Sequence, residues 1–140
     1  MADDVLYKDF KALTYSVFLL CKVTVTGWGA TEIDGTRKSS TELLQINIPI
    51  VPYDRCAQIF KDKVDITYKQ LCAGGERPTD SSSGDSGGPL QTLGLLNYQL
   101  KYIQYGVVSF GIMSCGTQGI PGVYTRVSYY MDWILNTIAD

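Results

Sequence analysis

A serine flanked by glycines stands out in the segment SSSGDSGGPL, residues 81–90. Gly84 and Gly87 allow backbone conformations that are closed to other residues, so a tight turn could aim the N–H groups of Gly84 and Ser86 at one point. Such a pair of donors forms an oxyanion hole, where each donor is worth about 2.7–4 kcal/mol in a transition state. The segment predicts nucleophilic catalysis by Ser86, against the alternative of an ordinary Gly–Ser turn.

A general base for this serine has no evident source in the chain. A serine hydroxyl is a weak nucleophile and needs a neighbouring base, but the 140 residues include no histidine. A lysine acts as the base in Ser–Lys enzymes, yet the order of the lysines along this sequence gives that role no support. Ser86 is therefore expected to stay a protonated alcohol.

The composition is that of one globular domain, with 45% hydrophobic and 19% charged residues. The net charge is −2 and no run of Lys or Arg occurs, so neither nucleic-acid binding nor binding to an anionic membrane is predicted. No metal or other cofactor is expected. The most apolar stretch, ALTYSVFLLC at residues 12–21, is shorter than the roughly 18 residues of a membrane helix. It is also a poor signal peptide, because three aspartates precede it and no small-residue cleavage site follows.

The elements that must position Ser86 are predicted to be mainly strands between Gly- and Pro-rich turns. Four segments are rich in β-branched residues or alternate in polarity: residues 22–28, 43–51, 101–110 and 122–127. The second segment contains Pro49, which predicts a sheet edge or a bulge at that position. Alternate residues of that segment share one face, and we expect that face to be half-buried: Leu44, Ile46, Ile48 and Ile50.

Two helices complete the prediction. DRCAQIF, residues 54–60, is predicted as a short helix capped by Asp54. At the end of the chain, Ser128 is the predicted N-cap of a helix with an apolar stripe at helical spacing: Tyr130, Trp133, Ile134 and Ile138. Strands followed by one terminal helix indicate an all-β fold, a small antiparallel barrel with a docked helix.

The segment GDSGGPL closely resembles the nucleophile loop of the chymotrypsin/trypsin-like serine proteases, peptidase family S1. Further motifs resemble the same family in the same order: VTGWG (25–29), LCAGG (71–75), VSFG (108–111), SCG (114–116), PGVYTRV (121–127) and YMDWI (130–134). Within this family, the sequence is similar to insect clip-domain trypsin-like proteases. The resemblance implies a single antiparallel Greek-key β-barrel with a C-terminal α-helix, the second barrel of such a protease, over residues 23–140. Residues 1–22 form an unrecognised N-terminal segment.

Catalytic roles follow from the resemblance residue by residue. Ser86 matches the nucleophile, and Gly84 with Ser86 matches the two oxyanion donors. Asp85 matches the acid that, in activated family members, pairs with a newly cut N-terminus and sets the oxyanion hole. Asp80 matches the base of the S1 pocket, where a carboxylate selects Arg or Lys through a charge-assisted contact.

Substrate-binding positions are implied in the same way. Gly111 and Gly122 match the open walls of the pocket. Ser109, Phe110 and Gly111 match the strand that pairs with the substrate backbone. The implied partners are protein or peptide substrates that contain Arg or Lys.

The sequence departs from the family in what it lacks. The resemblance covers only the second of two barrels, and the first barrel carries the histidine base and the buried aspartate. The cut N-terminus that Asp85 meets also belongs to that half. We expect the Asp85 carboxylate to be unpaired, which is costly for a buried charge, and the loop to relax into an inactive, zymogen-like arrangement.

The four cysteines follow the family in part. Cys56 and Cys72 match a disulfide within this barrel. Cys115 matches a half-cystine whose partner position holds Ser82, so a free thiol is expected there. Cys21 lies two residues before a family cysteine position and has no matched partner. Disulfide ancestry implies an oxidising, extracellular setting, although no convincing signal peptide is present.

Three interpretations stay open. The chain is an incomplete trypsin-like serine endopeptidase that is inactive alone, a non-catalytic homologue that binds and regulates other proteases, or a truncated gene product. The retained Ser86, Asp80 and Gly84 favour the first, and the absent base favours the second. The implied protein partners are accordingly a missing N-terminal protease half or another protease.

Overall fold

The computed structural model describes residues 22–33, 36–76, 83–111 and 119–138, with the side chains of residues 31–33 and 36–37 left aside. Within these residues the strands are β1 (Val23–Gly27), β2 (Ala30–Ile33), β3 (Thr36–Ser39), β4 (Leu44–Ile48), β5 (Ile50–Val51), β6 (Gln70–Ala73), β7 (Pro89–Leu96), β8 (Gln99–Phe110) and β9 (Gly122–Arg126). The helices are α1 (Tyr53–Phe60), a 3-10 turn (Val127–Tyr130) and α2 (Met131–Ile138).

The strands form one curled antiparallel sheet. Seven of them are hydrogen-bonded in the order β4-β1-β7-β8-β9-β6-β5, while β2 and β3 form a separate hairpin. The two edge strands, β4 and β5, are joined by the single residue Pro49. One residue cannot cross a flat sheet of this width, so the edges must approach each other and the sheet must curl. The predicted antiparallel barrel with a C-terminal helix is confirmed.

The hydrophobic interior has two parts. Inside the curl of the sheet, β1, β7 and β9 contribute fully buried side chains, among them Val23, Leu90 and Tyr124. A second cluster lies under α1 around the disulfide between Cys56 and Cys72, whose Cα atoms are 6.2 Å apart. This disulfide was predicted, and it fixes α1 to β6. It closes a loop with a sequence separation of 16, which stabilises the fold by about 3 kcal/mol through the unfolded state.

Several local predictions need correction. The segment 43–51 is two strands, because Pro49 has no N–H for a sheet hydrogen bond and the pairing changes sides there. Leu44 of that segment is exposed, whereas Ile48 is buried. The predicted caps are both wrong. Asp54 lies inside the first turn of α1, whose N-cap is Pro52 with no side-chain cap. Ser128 lies within the 3-10 turn before α2.

The C-terminal helix is shorter than its apolar stripe suggested. No residue of α2 is buried, and both Trp133 and Ile138 are exposed. The described residues therefore shield only part of the predicted apolar stripe from solvent. Within the described residues, no helix is long and apolar enough to span a membrane.

Burial of Tyr105 makes a specific pH dependence of stability testable. Burial raises the pKa of the Tyr105 phenol above its usual value of 10.0. The unfolded chain then loses this proton at lower pH than the folded chain, so the stability that Tyr105 contributes is present below pH 10 and is lost as pH rises through the raised pKa. The free energy of unfolding of the unmodified chain should fall more steeply above about pH 10 than that of Tyr105→Phe. Urea unfolding between about pH 8 and pH 11 measures both slopes. Equal slopes would contradict the conclusion that burial raises the pKa of Tyr105.

Candidate active site

The loop that carries Ser86 leads directly into β7. Gly84 and Gly87 have φ values of +102° and +83°, in the region that residues with a side chain rarely adopt. The two glycines beside Ser86 are therefore required by the backbone. They turn the chain sharply on either side of the serine, as the sequence predicted.

One side of the loop is bonded to the turn after β1 and to the first residue of β2. The Ala30 N–H donates to the Ser83 carbonyl at 2.7 Å, and the Gly29 N–H donates to Asp85 Oδ1 at 2.7 Å. The second bond is charge-assisted, which makes it stronger than a bond between neutral groups. Residues 83–85 are thus held against the start of the barrel.

Two glycines leave the space that the Asp85 carboxylate occupies. A Cβ atom at Gly27 or at Gly29 would overlap that carboxylate. The expectation of an unpaired Asp85 is therefore wrong, because the half-buried carboxylate accepts a backbone N–H within this barrel. The zymogen-like arrangement loses this part of its support and stays a prediction.

The other side of the loop is bonded to β8. The Gly87 N–H donates to the Val108 carbonyl at 2.9 Å, and the Val108 N–H donates to the Gly88 carbonyl at 2.9 Å. The Gly88 N–H closes a turn onto the Asp85 carbonyl, also at 2.9 Å. Ser86 therefore lies between two anchored segments, next to the end of β8.

The residues predicted to bind substrate continue from this anchor. Val108 pairs with Tyr124 and Phe110 pairs with Val123, so Ser109 is an extra residue that forms a bulge in β8. Bulges often occur next to active sites, where they change the direction of side chains.

The structure brings most of the predicted site into one region. Ser109, Phe110 and Gly111 are exposed and follow directly on the strand that holds the loop. Gly122 is buried in β9, one residue before the partner of Phe110. Asp80 lies outside the described residues, as do Ser82, Cys115 and Cys21, so the S1 carboxylate and the predicted free thiol stay predictions.

The Ser86 hydroxyl is accessible to solvent, as a nucleophile must be, but no described residue is hydrogen-bonded to it as a base. Ser86 is exposed, and neither its hydroxyl nor the N–H groups of Gly84 and Ser86 bond to any described residue. Two backbone donors beside a hydroxyl are the elements of acyl-transfer chemistry. Proton removal from Ser86 would need a group from elsewhere, because the chain has no histidine. Among the described side chains, no cluster suited to a metal ion is found.

The comparisons with known proteins agree with this arrangement. The family model described as Trypsin matches residues 19–134. The chain is 44% identical over 118 residues to Serine protease grass of Drosophila melanogaster, covering 83% of this chain and 30% of that protein. It is 40% identical over 148 residues to Melanization protease 1 of the same organism, covering 99% of this chain and 36% of that protein. CLIP domain-containing serine protease HP8 of Bombyx mori is 47% identical over 116 residues.

A solved structure supports the fold independently. The crystal structure of the Drosophila Grass clip serine protease superposes with a TM-score of 0.73 at 41% identity, over 91% of this chain and 35% of that one. The fold and the Ser86 loop define a serine protease barrel, and the chain belongs to the trypsin family. It spans about a third of the length of these relatives.

The sequence analysis did not identify the residues that hold the Ser86 loop in position. VTGWG was matched to the family, but Gly27 and Gly29 were given no role. Two glycines around Trp28 in a segment rich in β-branched residues were the available signal, since glycine in a strand often marks a close backbone approach. Val108, whose N–H and carbonyl both bond to the loop, gave no signal because its side chain is not what bonds.

Substituting Gly29 tests this seat. Gly29→Ala would push its Cβ into the Asp85 carboxylate and displace the loop, and it should lower the free energy of unfolding by about 1–3 kcal/mol. Gly111→Ala is the matched control, because a Cβ there meets nothing within 4 Å, and it should change stability by less than about 0.5 kcal/mol. Urea unfolding of both variants measures the difference. Equal effects would show that the Gly29 contact does not hold the loop.

Proposed function

We propose that this chain is the nucleophile-bearing part of a serine endopeptidase that cleaves after Arg or Lys, and that it is inactive alone. The observation that carries the proposal is the Ser86 loop. It is anchored on both sides, with its hydroxyl exposed, in a chain without histidine. The named relatives are serine proteases about three times as long, which leaves room for a segment that supplies the base.

In the complete enzyme, the Ser86 Oγ attacks the carbonyl carbon of the scissile peptide while the base from the other segment takes its proton. The carbonyl oxygen becomes an oxyanion and accepts hydrogen bonds from the Gly84 and Ser86 N–H groups. The base then returns the proton to the leaving amine, and water releases the acyl group by the same steps in reverse. Asp85 is a positioning residue here, because it fixes the loop that carries the donors.

Substrate choice is assigned to the residues around the end of β8. Ser109 and the exposed backbone that follows it would bind the substrate as an added strand. Gly111 and Gly122 would leave the pocket open, and Asp80 would pair with the Arg or Lys side chain. The disulfide between Cys56 and Cys72 supports an extracellular location for this activity.

A second candidate function is a regulatory module that binds other proteases without cleaving. The absence of a base in this chain and the apolar side chains that α2 leaves exposed, Trp133 and Ile138, favour it. The intact loop favours the enzyme, because a module that only docks has no need of two glycines with positive φ around an exposed serine.

A chimera decides between the two functions. The segment of Serine protease grass that precedes its match to this chain would be joined to residues 23–140, and the protein activated by cleavage of the grass segment. Fluorogenic peptides that end in Arg should be hydrolysed, at a rate at least about 1000-fold above the same chimera with Ser86→Ala. The unjoined chain should show no hydrolysis.

The experiment has three informative outcomes. Hydrolysis that is lost with Ser86→Ala supports the enzyme. A folded chimera that does not cleave the peptide contradicts the enzyme and favours the regulatory module. Hydrolysis by the unjoined chain would contradict the requirement for a second segment.

A further inference from the structure

The outer face of the β7–β8 hairpin is a contiguous apolar surface. Two cross-strand pairs form it, Leu93 with Tyr102 and Leu95 with Leu100, because directly opposite residues of an antiparallel pair point to the same side of the sheet. These four side chains, which we call the hairpin face, are between 51% and 73% exposed. Tyr98, in the turn that joins the two strands, is 98% exposed. An exposed apolar surface of this kind marks a place where something binds.

The opposite side of the hairpin belongs to the protein interior. Thr92 pairs with Ile103 and Gly94 pairs with Lys101, so these residues lie on the other side from the hairpin face. Ile103 is buried, and a Cβ atom at Gly94 would overlap the Ile103 side chain. The barrel therefore uses one side of the hairpin for its own packing and leaves the hairpin face exposed.

The hairpin face carries no charge. Residues 86–100 include no Asp, Glu, Lys or Arg, and Lys101 lies on the other side of the hairpin, opposite Gly94. The chain has 12 basic and 14 acidic residues, yet none of them belongs to this surface. A partner that recognises the hairpin face must therefore do so through apolar contacts.

We propose that the hairpin face binds the hairpin face of a second copy of this chain in a two-fold symmetric dimer. A two-fold axis brings the same surface of both copies together, so a charge on that surface would lie close to its own counterpart and repel it. An uncharged apolar surface meets its copy without this cost, and its area is removed from water on both copies. Two sheets that pack in this way lie about 10 Å apart, with their side chains between them.

The exposed area is sufficient for a specific dimer. From their exposed fractions, the four side chains of the hairpin face and Tyr98 present roughly 650 Å² per chain, which is slightly more than the largest apolar patch on a typical monomer. Burial of this area on both copies removes about 1,300 Å² from water, within the range of about 1,200–2,000 Å² for stable protein–protein interfaces. A second copy can therefore cover the surface without a contribution from another part of the molecule.

The dimer leaves the Ser86 loop accessible. The loop leads into β7 at Pro89, whereas Leu93 and Leu95 lie further along that strand, at about 13–20 Å from its start. The hairpin face also contains none of the residues that are proposed to bind substrate. Dimer formation is therefore independent of whether Ser86 acts as a nucleophile.

Sedimentation velocity tests the dimer. The chain would carry Cys21→Ser and Cys115→Ser, so that no intermolecular disulfide contributes, and the dimer fraction should increase between about 1 μM and 200 μM. Leu95→Lys places a charge against its counterpart and should raise the dimer dissociation constant at least about 100-fold. Leu43→Lys is the matched control, because Leu43 is 56% exposed and lies outside the hairpin. It should change the constant less than about twofold.

Two outcomes of this experiment would overturn the proposal. One is a monomer at every concentration. The other is a dimer that Leu95→Lys weakens no more than Leu43→Lys does, because the contact would then lie elsewhere on the molecule. Circular dichroism of each variant reports that it is folded.

A mixture of Leu95→Lys with Leu95→Glu tests whether the surface meets itself. In a two-fold dimer of a surface this small, position 95 of one copy lies near position 95 of the other. The mixed dimer then pairs opposite charges, so the mixture should associate at least about tenfold more tightly than either variant alone. A mixture that associates no better than the separate variants would contradict the two-fold contact.

Hydroxyl-radical labelling of the unsubstituted hairpin removes dependence on these variants. Tyr102 is 61% exposed and Tyr68 is 68% exposed, so both side chains begin with similar accessibility. Oxidation of Tyr102 should slow at least about threefold from dilute to concentrated protein, while oxidation of Tyr68 stays constant. Equal oxidation of Tyr102 at both concentrations would overturn the proposal. Protection of Tyr102 that is already complete in dilute protein would show that another part of the same chain covers the hairpin face.

Discussion

The hydrogen bond from the Gly29 N–H to the Asp85 carboxylate fixes the part of this molecule that can do chemistry. It joins the turn after β1 to the loop before β7, and those two strands are neighbours in the sheet. The carboxylate fits because the chain has glycine at positions 27 and 29. A charge-assisted bond to a backbone N–H holds position without the flexibility of a partner side chain. The direction of the Ser86 loop therefore depends on backbone groups of this barrel.

The rest of the barrel keeps those backbone groups in place. β1 and β7 contribute Val25 and Leu90 to one buried cluster, so the strands on both sides of the bond share a core. β8 completes the support through Val108, whose N–H and carbonyl both bond to the loop. The barrel can thus present a serine and its neighbouring donors by itself. The chain has no histidine, so the base that the proposed mechanism needs would come from another segment.

Alternation in the strands and the glycines around Ser86 are local signals, and they predicted most of the sheet and the sharp turns of the Ser86 loop. The disulfide between Cys56 and Cys72 was predicted from the resemblance to the serine protease family. The caps at Asp54 and Ser128 were wrong because both helical segments begin earlier than a cap at these residues requires: α1 begins at Tyr53, after Pro52, and a 3-10 turn that starts at Val127 precedes α2. β7 was not predicted, because PLQTLGLL shows no clear alternation of polar and apolar residues. The pairing of Asp85 with Gly29 joins residues 56 positions apart, and no local pattern reports such a contact.

The central claim is that Ser86 is presented but not activated, and fluorophosphonate labelling tests it most directly. The probe reacts with an activated serine and hardly at all with an ordinary one. The purified 140-residue chain, labelled and read by intact mass, should carry no adduct while its circular dichroism shows a folded β-rich protein. A single adduct on Ser86 that disappears in Ser86→Ala would contradict the account, because the chain would then contain a base of its own.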